Sequence, residues 1–283
     1  MKLLTQVDIP RFPWSVRPTD RVALLGSCFS DHIAAQLRDR LFRVTANPTG
    51  TLYNPVSIAH HQDLFDNAEV VMITFGTAWV YRDLLMPPSS DPWANIVDNC
   101  RRRPASEFER LRLTVEDIVA LWQPILQAHP DQRFVFTVSP IRHLKDGLHE
   151  NQLSKAILLQ AIERLIALQP KKDDPRVTYF PAYEIMLDEL RDYRFYAADM
   201  MHPTETAVQY IFDRLVQTCF YDEQTQAFMQ ETYALTRAFA HRPLQPDSED
   251  YKQFTIRRDQ QLHQLTQRYP WLNPETVGAI QKN

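Results

Sequence analysis

The feature that most constrains this chain is an apolar run that ends at a glycine and passes almost directly into a segment with helical spacing. The apolar run is Val22 to Leu25, in a predicted buried strand over Arg21 to Leu25, and the glycine is Gly26. The helical segment extends over Ser30 to Arg40, with its first residue as the predicted N-cap. Two nucleophilic side chains, Ser27 and Cys28, stand in the turn between them. A strand that enters a helix through a tight turn holds such a side chain at the carboxyl end of a sheet. The first N–H groups of the helix then point towards the atom that is attacked.

Apolar runs and helical segments alternate along most of the chain. The further predicted strands are Phe42 to Thr45, Val70 to Phe75, Arg133 to Val138 and Val177 to Phe180. The predicted helices that follow them are Ser57 to Phe65, Thr114 to Ala128, Asn151 to Leu168 and Thr204 to Val216. We predict that Trp79 to Asp98 is irregular, because prolines mark it. The alternation predicts an α/β fold whose parallel sheet has helices on both faces.

The pattern changes after residue 220, where two polar helical stretches, Glu223 to Ala240 and Glu249 to Arg268, end the chain. We therefore predict an α/β domain over residues 1–220 and a helical C-terminal extension over residues 221–283. The extension either packs on the core or forms a contact between subunits, in which case the protein is a homo-oligomer.

Composition excludes several function classes. Only five of the 283 residues are glycine and no two lie close together, so neither a phosphate loop nor a dinucleotide fingerprint fits. The net charge of −4 offers no basic field for nucleic acid. No window holds the roughly 20 apolar residues that a membrane span needs.

Cysteine and histidine usage argues against a metal site. Cys28, Cys100 and Cys219 lie far apart and form no CxxC pair, so we expect neither a zinc framework nor a disulfide scaffold. His60 and His61 have no third ligand at helical spacing. We expect no metal, no cofactor and a reduced, cytoplasmic setting.

Asp199 and His202 form the second chemistry-bearing motif. They lie three residues apart in a loop that opens a predicted helix, with Pro203 suited to its first turn. A carboxylate at this spacing can fix the tautomer of the imidazole, whose other nitrogen then takes a proton from a nucleophile. Taken alone, the motif is more typical of a surface loop with a capping acid. A nucleophile turn early in the chain makes it a candidate for the rest of a triad.

Loops after the other strands carry further candidates. Gly50 and Gly76 lie, like Gly26, at or just beyond strand ends, where ligands bind in open α/β sheets. Taken singly, each is more commonly a turn glycine. Arg142 and His143 follow the fourth predicted strand. They either line the cleft at the strand ends, where the guanidinium of Arg142 would bind an anionic or sugar-linked group, or form a solvated pair.

The turn sequence Gly-Ser-Cys-Phe-Ser over residues 26–30 resembles the signature of the GSCFA family, with Ser30 where that signature has alanine. The resemblance extends over roughly residues 5–220. It includes the segments at residues 47–55, 74–81, 99–100, 139–143, 151–155 and 199–203. GSCFA proteins are grouped with the SGNH (GDSL-like) hydrolases. The resemblance therefore implies a flavodoxin-like three-layer α/β/α fold with a five-stranded parallel sheet.

The SGNH pattern also implies roles for single residues. Its nucleophile position falls on Cys28, with Ser27 at the preceding position, and its Asp-x-x-His block falls on Asp199 and His202. Ser27 remains the rival nucleophile, and Cys28 is alternatively a small buried side chain. As a nucleophile at a helix N-terminus beside a histidine, Cys28 is expected to have a lowered pKa.

The implied oxyanion donors depart from the pattern. The second sequence block of the SGNH pattern places one oxyanion donor at Gly50. The third block falls on Gly76, with Ala78 where an asparagine amide is expected. Three asparagines could supply the missing amide, namely Asn47, Asn54 and Asn151. The sequence does not choose among them.

The resemblance implies an esterase or acyltransferase that acts on a small acyl ester, including an ester carried on a carbohydrate. A thiol nucleophile suits acyl transfer as well as hydrolysis, because both proceed through a thioester. The alternative is a binding or scaffold protein that keeps the sheet and has lost the activity. The alanine at position 78 favours that alternative.

Overall fold

The computed structural model describes residues 5–100, 102–169 and 175–272. Its strands are β1 (Arg21–Gly26), β2 (Arg43–Ala46), β3 (Val70–Phe75), β4 (Trp79–Asp83), β5 (Phe108–Arg112), β6 (Arg133–Val138) and β7 (Val177–Tyr179). Its helices are α1 (Cys28–Arg38), α2 (Pro55–Ala59), α3 (Val115–Ala128), α4 (Leu148–Ala167), α5 (Ala182–Glu184), α6 (Glu205–Cys219), α7 (Glu223–Ala240) and α8 (Glu249–Arg268). A π-helical turn over Ile185–Glu189 continues α5.

Five strands form one parallel sheet in the order β2-β1-β3-β6-β7, which confirms the predicted α/β fold. Successive residues of the central strands face opposite sides, as the two-residue period of a strand requires. Val70 and Met72 belong to the core that includes α1 and α6, whereas Val71 and Ile73 belong to the core that includes α3 and α4. The sheet is therefore buried on both faces, and its exposed carboxyl edge is where the loops can build a site.

Gly26 ends β1 because no other residue fits there. Its φ is +141°, and a Cβ at this position would lie 2.2 Å from the carbonyl oxygen of Thr74 on the neighbouring strand. Helix α1 then begins at Cys28 with Ser27 as its N-cap, not with Ser30 as predicted. The Ser30 hydroxyl instead donates to Thr74 Oγ1 at 2.8 Å in the buried interior.

One prediction about the segment after β3 is wrong. Trp79 to Asp98 was expected to be irregular, but Trp79–Asp83 is β4, which pairs antiparallel with β5. Arg110 of β5 covers the indole ring of Trp79, with its guanidinium carbon 3.7 Å from the ring centroid. The predicted helix Ser57 to Phe65 is also shorter: α2 ends at Ala59, and a 3₁₀ turn over Gln62–Asn67 follows.

The two C-terminal helices pack on the core of the sheet domain. Phe228 of α7 is fully buried, with its ring edge-on to Phe42, and the Thr232 hydroxyl contacts the carbonyl oxygen of Arg40 at 3.0 Å. Leu262 and Leu265 of α8 join the same core. Of the two predicted arrangements, the structure shows the first. Within the described ranges, none of the helices is both long and apolar enough to span a membrane.

Candidate active site

Asp199 and His202 form a hydrogen-bonded pair in the loop before α6. Asp199 Oδ2 lies 2.6 Å from His202 Nδ1, and Asp199 Oδ1 accepts the backbone N–H groups of Met201 and His202 at 2.9 and 3.0 Å. These bonds, chiefly the backbone ones, lower the pKa of Asp199 to about 2. The bond at Nδ1 leaves the other ring nitrogen, Nε2, directed away from the carboxylate. The imidazole is 39 % exposed, so it is accessible to substrate.

Cys28 is the first residue of α1 and is partly exposed. Burial raises the pKa of its thiol, and the backbone N–H groups of Cys28 and Phe29 oppose that effect. The charges of Asp31 and Asp199 raise the pKa further. Cys28 directly follows β1, and the N–H of Arg142, just after β6, donates to the Met201 carbonyl oxygen in the His202 loop, so both segments lie at the carboxyl edge of the sheet. The expectation of a lowered pKa is therefore wrong: burial outweighs the helix N-terminus, and the resting group is a thiol.

Ser27 is buried and its hydroxyl has structural partners. It donates to Ser139 Oγ at 2.9 Å and accepts the N–H of Phe29 at 3.3 Å. The nucleophile turn, residues 26–28, thus presents two candidates in different settings. Ser27 is held inside the protein as a helix cap, and Cys28 reaches the surface.

The loop after β2 is fixed to the nucleophile turn by Asn47. Its Oδ1 accepts the N–H of Gly26 at 3.0 Å, and its Nδ2 donates to Asp31 Oδ1 at 2.9 Å. Its carbonyl oxygen accepts the N–H of Gly50 at 2.9 Å. Both of these candidate oxyanion donors, the Asn47 amide and the Gly50 N–H, therefore already have protein partners in this conformation.

Tyr53 connects this loop to the end of β3. Its carbonyl oxygen accepts the N–H groups of Gly76 and Thr77, each at 2.8 Å. A Cβ on Gly76 would lie 2.8 Å from that oxygen, so the close approach requires glycine. The pKa of the Tyr53 phenol is raised by burial and by the charges of Cys28 and Asp31.

His143 lies next to Tyr53, with the two rings edge-on and their centroids 6.0 Å apart. Its backbone N–H donates to Asn151 Oδ1 at 3.0 Å. Burial, followed by the charges of Lys155 and His202, lowers the pKa of His143 to about 4, so the ring is neutral at pH 7. Its Nε2 is buried without a hydrogen-bond partner among the residues described.

Arg142 borders the His202 loop. Its Nη2 donates to the Tyr196 hydroxyl at 2.8 Å, and its guanidinium carbon lies 4.0 Å from the centroid of that ring. Its backbone N–H donates to the carbonyl oxygen of Met201 at 3.4 Å. The remaining candidate, Asn54, is the N-cap of α2 and accepts the N–H groups of Val56 and Ser57.

Sequence reasoning missed three contributors to this edge: Tyr53, Ser139 and Lys155. Lys155 is 1 % exposed and donates from Nζ to the carbonyl oxygens of Gly76 and Ser139 at 2.7 and 2.8 Å. The available signal was the spacing of Asn151, Ser154 and Lys155, which places three polar side chains on one face of α4. On an amphipathic helix, such a face is usually solvated, and here it is buried.

The described residues include no group of three or more histidine, cysteine, aspartate or glutamate side chains placed to hold a metal ion. The chemistry that the edge offers is therefore that of a thiol, a carboxylate–imidazole pair, a neutral imidazole and helix N–H groups. Such a set can transfer an acyl group.

Comparisons with known proteins place the chain in a family. One similar solved structure is the Clostridium thermocellum family 3 carbohydrate esterase, at 10 % sequence identity and a TM-score of 0.41, over 75 % of this chain and 97 % of that chain. A second solved structure is 14 % identical with a TM-score of 0.43, over 70 % of this chain and 95 % of that chain. None of the curated protein sequences is a significant match.

Two family models match the sequence. The model of the GSCFA family matches residues 21–65 and 60–215, and a model of the C-terminal domain of GSCFA domain proteins matches residues 234–277. The first covers more than half of the chain and includes the nucleophile turn and the Asp199–His202 loop. The protein belongs to the GSCFA family.

Proposed function

We propose that the protein is an esterase or acyltransferase in which Cys28 attacks the carbonyl of a small acyl ester, including an ester on a carbohydrate. The observation that carries the proposal is the 2.6 Å bond between Asp199 and His202 at the edge that also presents Cys28. A carboxylate bound at Nδ1 fixes the tautomer in which Nε2 accepts a proton.

The proposed reaction has two stages. The Cys28 proton moves to His202 Nε2 as the sulfur–carbon bond forms, and the carbonyl oxygen becomes an oxyanion. When the tetrahedral species collapses, the alcohol leaves with the proton from His202, and a thioester remains on Cys28. Water or an acceptor hydroxyl then loses a proton to His202 and attacks the thioester. The carbon–sulfur bond breaks, Cys28 takes the proton back from His202, and the acid or the new ester is released.

The raised pKa of Cys28 supports a role for His202 as general base. A thiol that is protonated at rest needs proton removal at the moment of attack, and in the proposal the His202 imidazole takes that proton. The backbone N–H of Cys28, at the start of α1, favours the thiolate, and in the proposal it serves as one oxyanion donor. In the proposal, Gly50 adds a second donor after its turn with Asn47 opens.

Hydrolysis of a short-chain aryl ester tests the proposal. C28A and H202A are expected to lose at least about 100-fold in kcat, whereas S27A retains the reaction and loses stability. H263A, in an exposed histidine of α8, is the matched control for H202A. An acyl adduct trapped on the Cys28 peptide and detected by mass spectrometry identifies the thioester. Full turnover by H202A would disprove the mechanism.

A binding protein that has lost catalysis is the second candidate, and two observations favour it. Ala78 replaces an oxyanion amide, and the Gly50 N–H is already bonded to Asn47. This candidate predicts that the wild type hydrolyses a panel of short acyl esters no faster than C28A. It also predicts that Cys28 forms no acyl adduct.

A further inference from the structure

Helix α4 directs three side chains, from little more than one helical turn, at the loops behind the candidate nucleophile. Asn151 accepts the His143 N–H, Ser154 Oγ accepts the Ala78 N–H at 2.7 Å, and Lys155 binds two carbonyl oxygens. Asn151, Ser154 and Lys155 are each at most 3 % exposed. All their partners belong to the segments that directly follow β3 and β6, at the edge of the sheet that carries the site.

Lys155 is the unusual member of this face. A lysine is rarely fully buried unless a carboxylate accompanies it. Its Nζ donates to the carbonyl oxygens of Gly76 and Ser139, and burial alone accounts for a lysine pKa lowered to about 7. Throughout the described ranges, no acidic side chain forms an ion pair with it. The amine therefore neutralises no acid in the core, and its bonds link two loops.

The network continues from Lys155 to the nucleophile turn. Lys155 binds the carbonyl oxygen of Ser139. The side-chain Oγ of Ser139 accepts a hydrogen bond from the Ser27 hydroxyl at 2.9 Å, and Ser27 Oγ accepts the N–H of Phe29. The other carbonyl belongs to Gly76, whose own N–H is bound by Tyr53. One amine thus joins the end of β3, the end of β6 and, through a single serine, the N-cap of α1.

We propose that Lys155 is a positioning residue: by binding the carbonyl oxygens of Gly76 and Ser139, it fixes the two strand-end loops against the nucleophile turn. Acyl transfer depends on this alignment because the sulfur, the imidazole and the oxyanion donors come from three separate loops. Lys155 does not touch the substrate. The inference rests on the proposed function for its kinetic consequence, but its structural consequence at Cys28 can be measured without an ester.

The test compares K155M with K252M, the same substitution at an exposed lysine of α8. Both are assayed for ester hydrolysis and for the rate at which iodoacetamide alkylates Cys28 in the folded protein. K155M is expected to lose about 100-fold in kcat with KM changed less than about twofold. Its Cys28 alkylation profile against pH is expected to differ from that of K252M, because the turn has moved.

The controls separate this proposal from the proposed function. In K155M, NMR titration of His143 checks that the Lys155 charge has been removed, because loss of that charge raises the pKa of the His143 imidazole. If the wild type hydrolyses no ester, the proposed function fails, and Cys28 alkylation alone decides the role of Lys155. A folded K155M that matches K252M in both kcat and alkylation overturns the positioning role. If K155M does not fold, K155Q is measured, and failure of both variants to fold assigns Lys155 to stability only.

Discussion

Asp199 binds His202 through both carboxylate oxygens, one on the imidazole and one on the backbone N–H of the same residue. The backbone bond fixes the carboxylate, and the carboxylate in turn fixes the ring. Met200, between them, has a φ of +58°, so the loop adopts a tight conformation that brings the two residues together. The imidazole is consequently oriented by its own loop and needs no partner from another element.

D199N is expected to reduce kcat for ester hydrolysis by at least about 100-fold, because an amide can present an N–H to Nδ1 and favour the wrong tautomer. The control is D192N, which changes an exposed loop aspartate that caps the turn over Tyr193–Phe195. Since the pKa of Asp199 is about 2, its charge is constant above about pH 4, and the wild type is expected to show no kinetic pKa from this carboxylate. Equal kcat values for D199N and D192N would contradict the role of Asp199.

The alkylation rate of Cys28 is expected to rise with pH to a midpoint above the ordinary thiol pKa of about 9. Burial and two nearby carboxylates raise its pKa, so the thiolate fraction at pH 7 lies below that of a free cysteine peptide. The measurement is the alkylation rate of the Cys28 peptide between about pH 6 and 10, with buried Cys219 as the unreactive reference. A midpoint below pH 7 would show that the resting group at pH 7 is a thiolate.

G26A is expected to lower the free energy of unfolding by more than about 4 kcal/mol, because the new methyl group meets the Thr74 carbonyl at 2.2 Å. G147A is the matched variant: Gly147 also has a positive φ, but a Cβ there meets no atom within 4 Å. Its expected loss is about 1–3 kcal/mol, from backbone strain alone. Urea unfolding measures both, and equal losses would show that the contact with Thr74 relaxes without cost.

F228A is expected to destabilise the whole protein by about 3–5 kcal/mol, because the ring is fully buried against Phe42 and Tyr269. I256A, at a half-exposed position of α8, is expected to change stability by less than about 0.5 kcal/mol. Far-ultraviolet circular dichroism and tryptophan fluorescence are both followed through urea unfolding. Two separate transitions would indicate that residues after 221 unfold independently of the sheet.

The elements that sequence reasoning predicted well are those whose boundaries are determined by residues adjacent to them in the sequence. The strand Val70–Phe75 is apolar except for Thr74, and a glycine follows it. Helices α7 and α8 each follow a capping residue and have the predicted bounds. The start of α1 was misplaced because Ser27 and Ser30 are both good caps. The choice depends on Thr74, which is distant in sequence and binds the Ser30 hydroxyl.

The features that could not be predicted depend on contacts between distant segments. Strand β4 is only half-buried, and its Trp79 is covered by an arginine rather than by apolar neighbours, so the two-residue pattern is weak. The raised pKa of Cys28 depends on burial and on two carboxylates, Asp31 in α1 and Asp199 in the distant loop before α6. In the sequence, Lys155 is typical of a solvated helix face. In the structure, its amine binds carbonyl groups from two loops that are distant in sequence.

The partial burial of Cys28 has a consequence for how long such a protein survives in a cell. Peroxides and disulfides attack the thiolate form, and a thiol with a raised pKa presents little of it. A nucleophile that loses its proton only when a substrate is in place spends the interval between turnovers in its oxidation-resistant form. In the proposed mechanism, the dependence of the thiol on His202 therefore also protects it from oxidative inactivation.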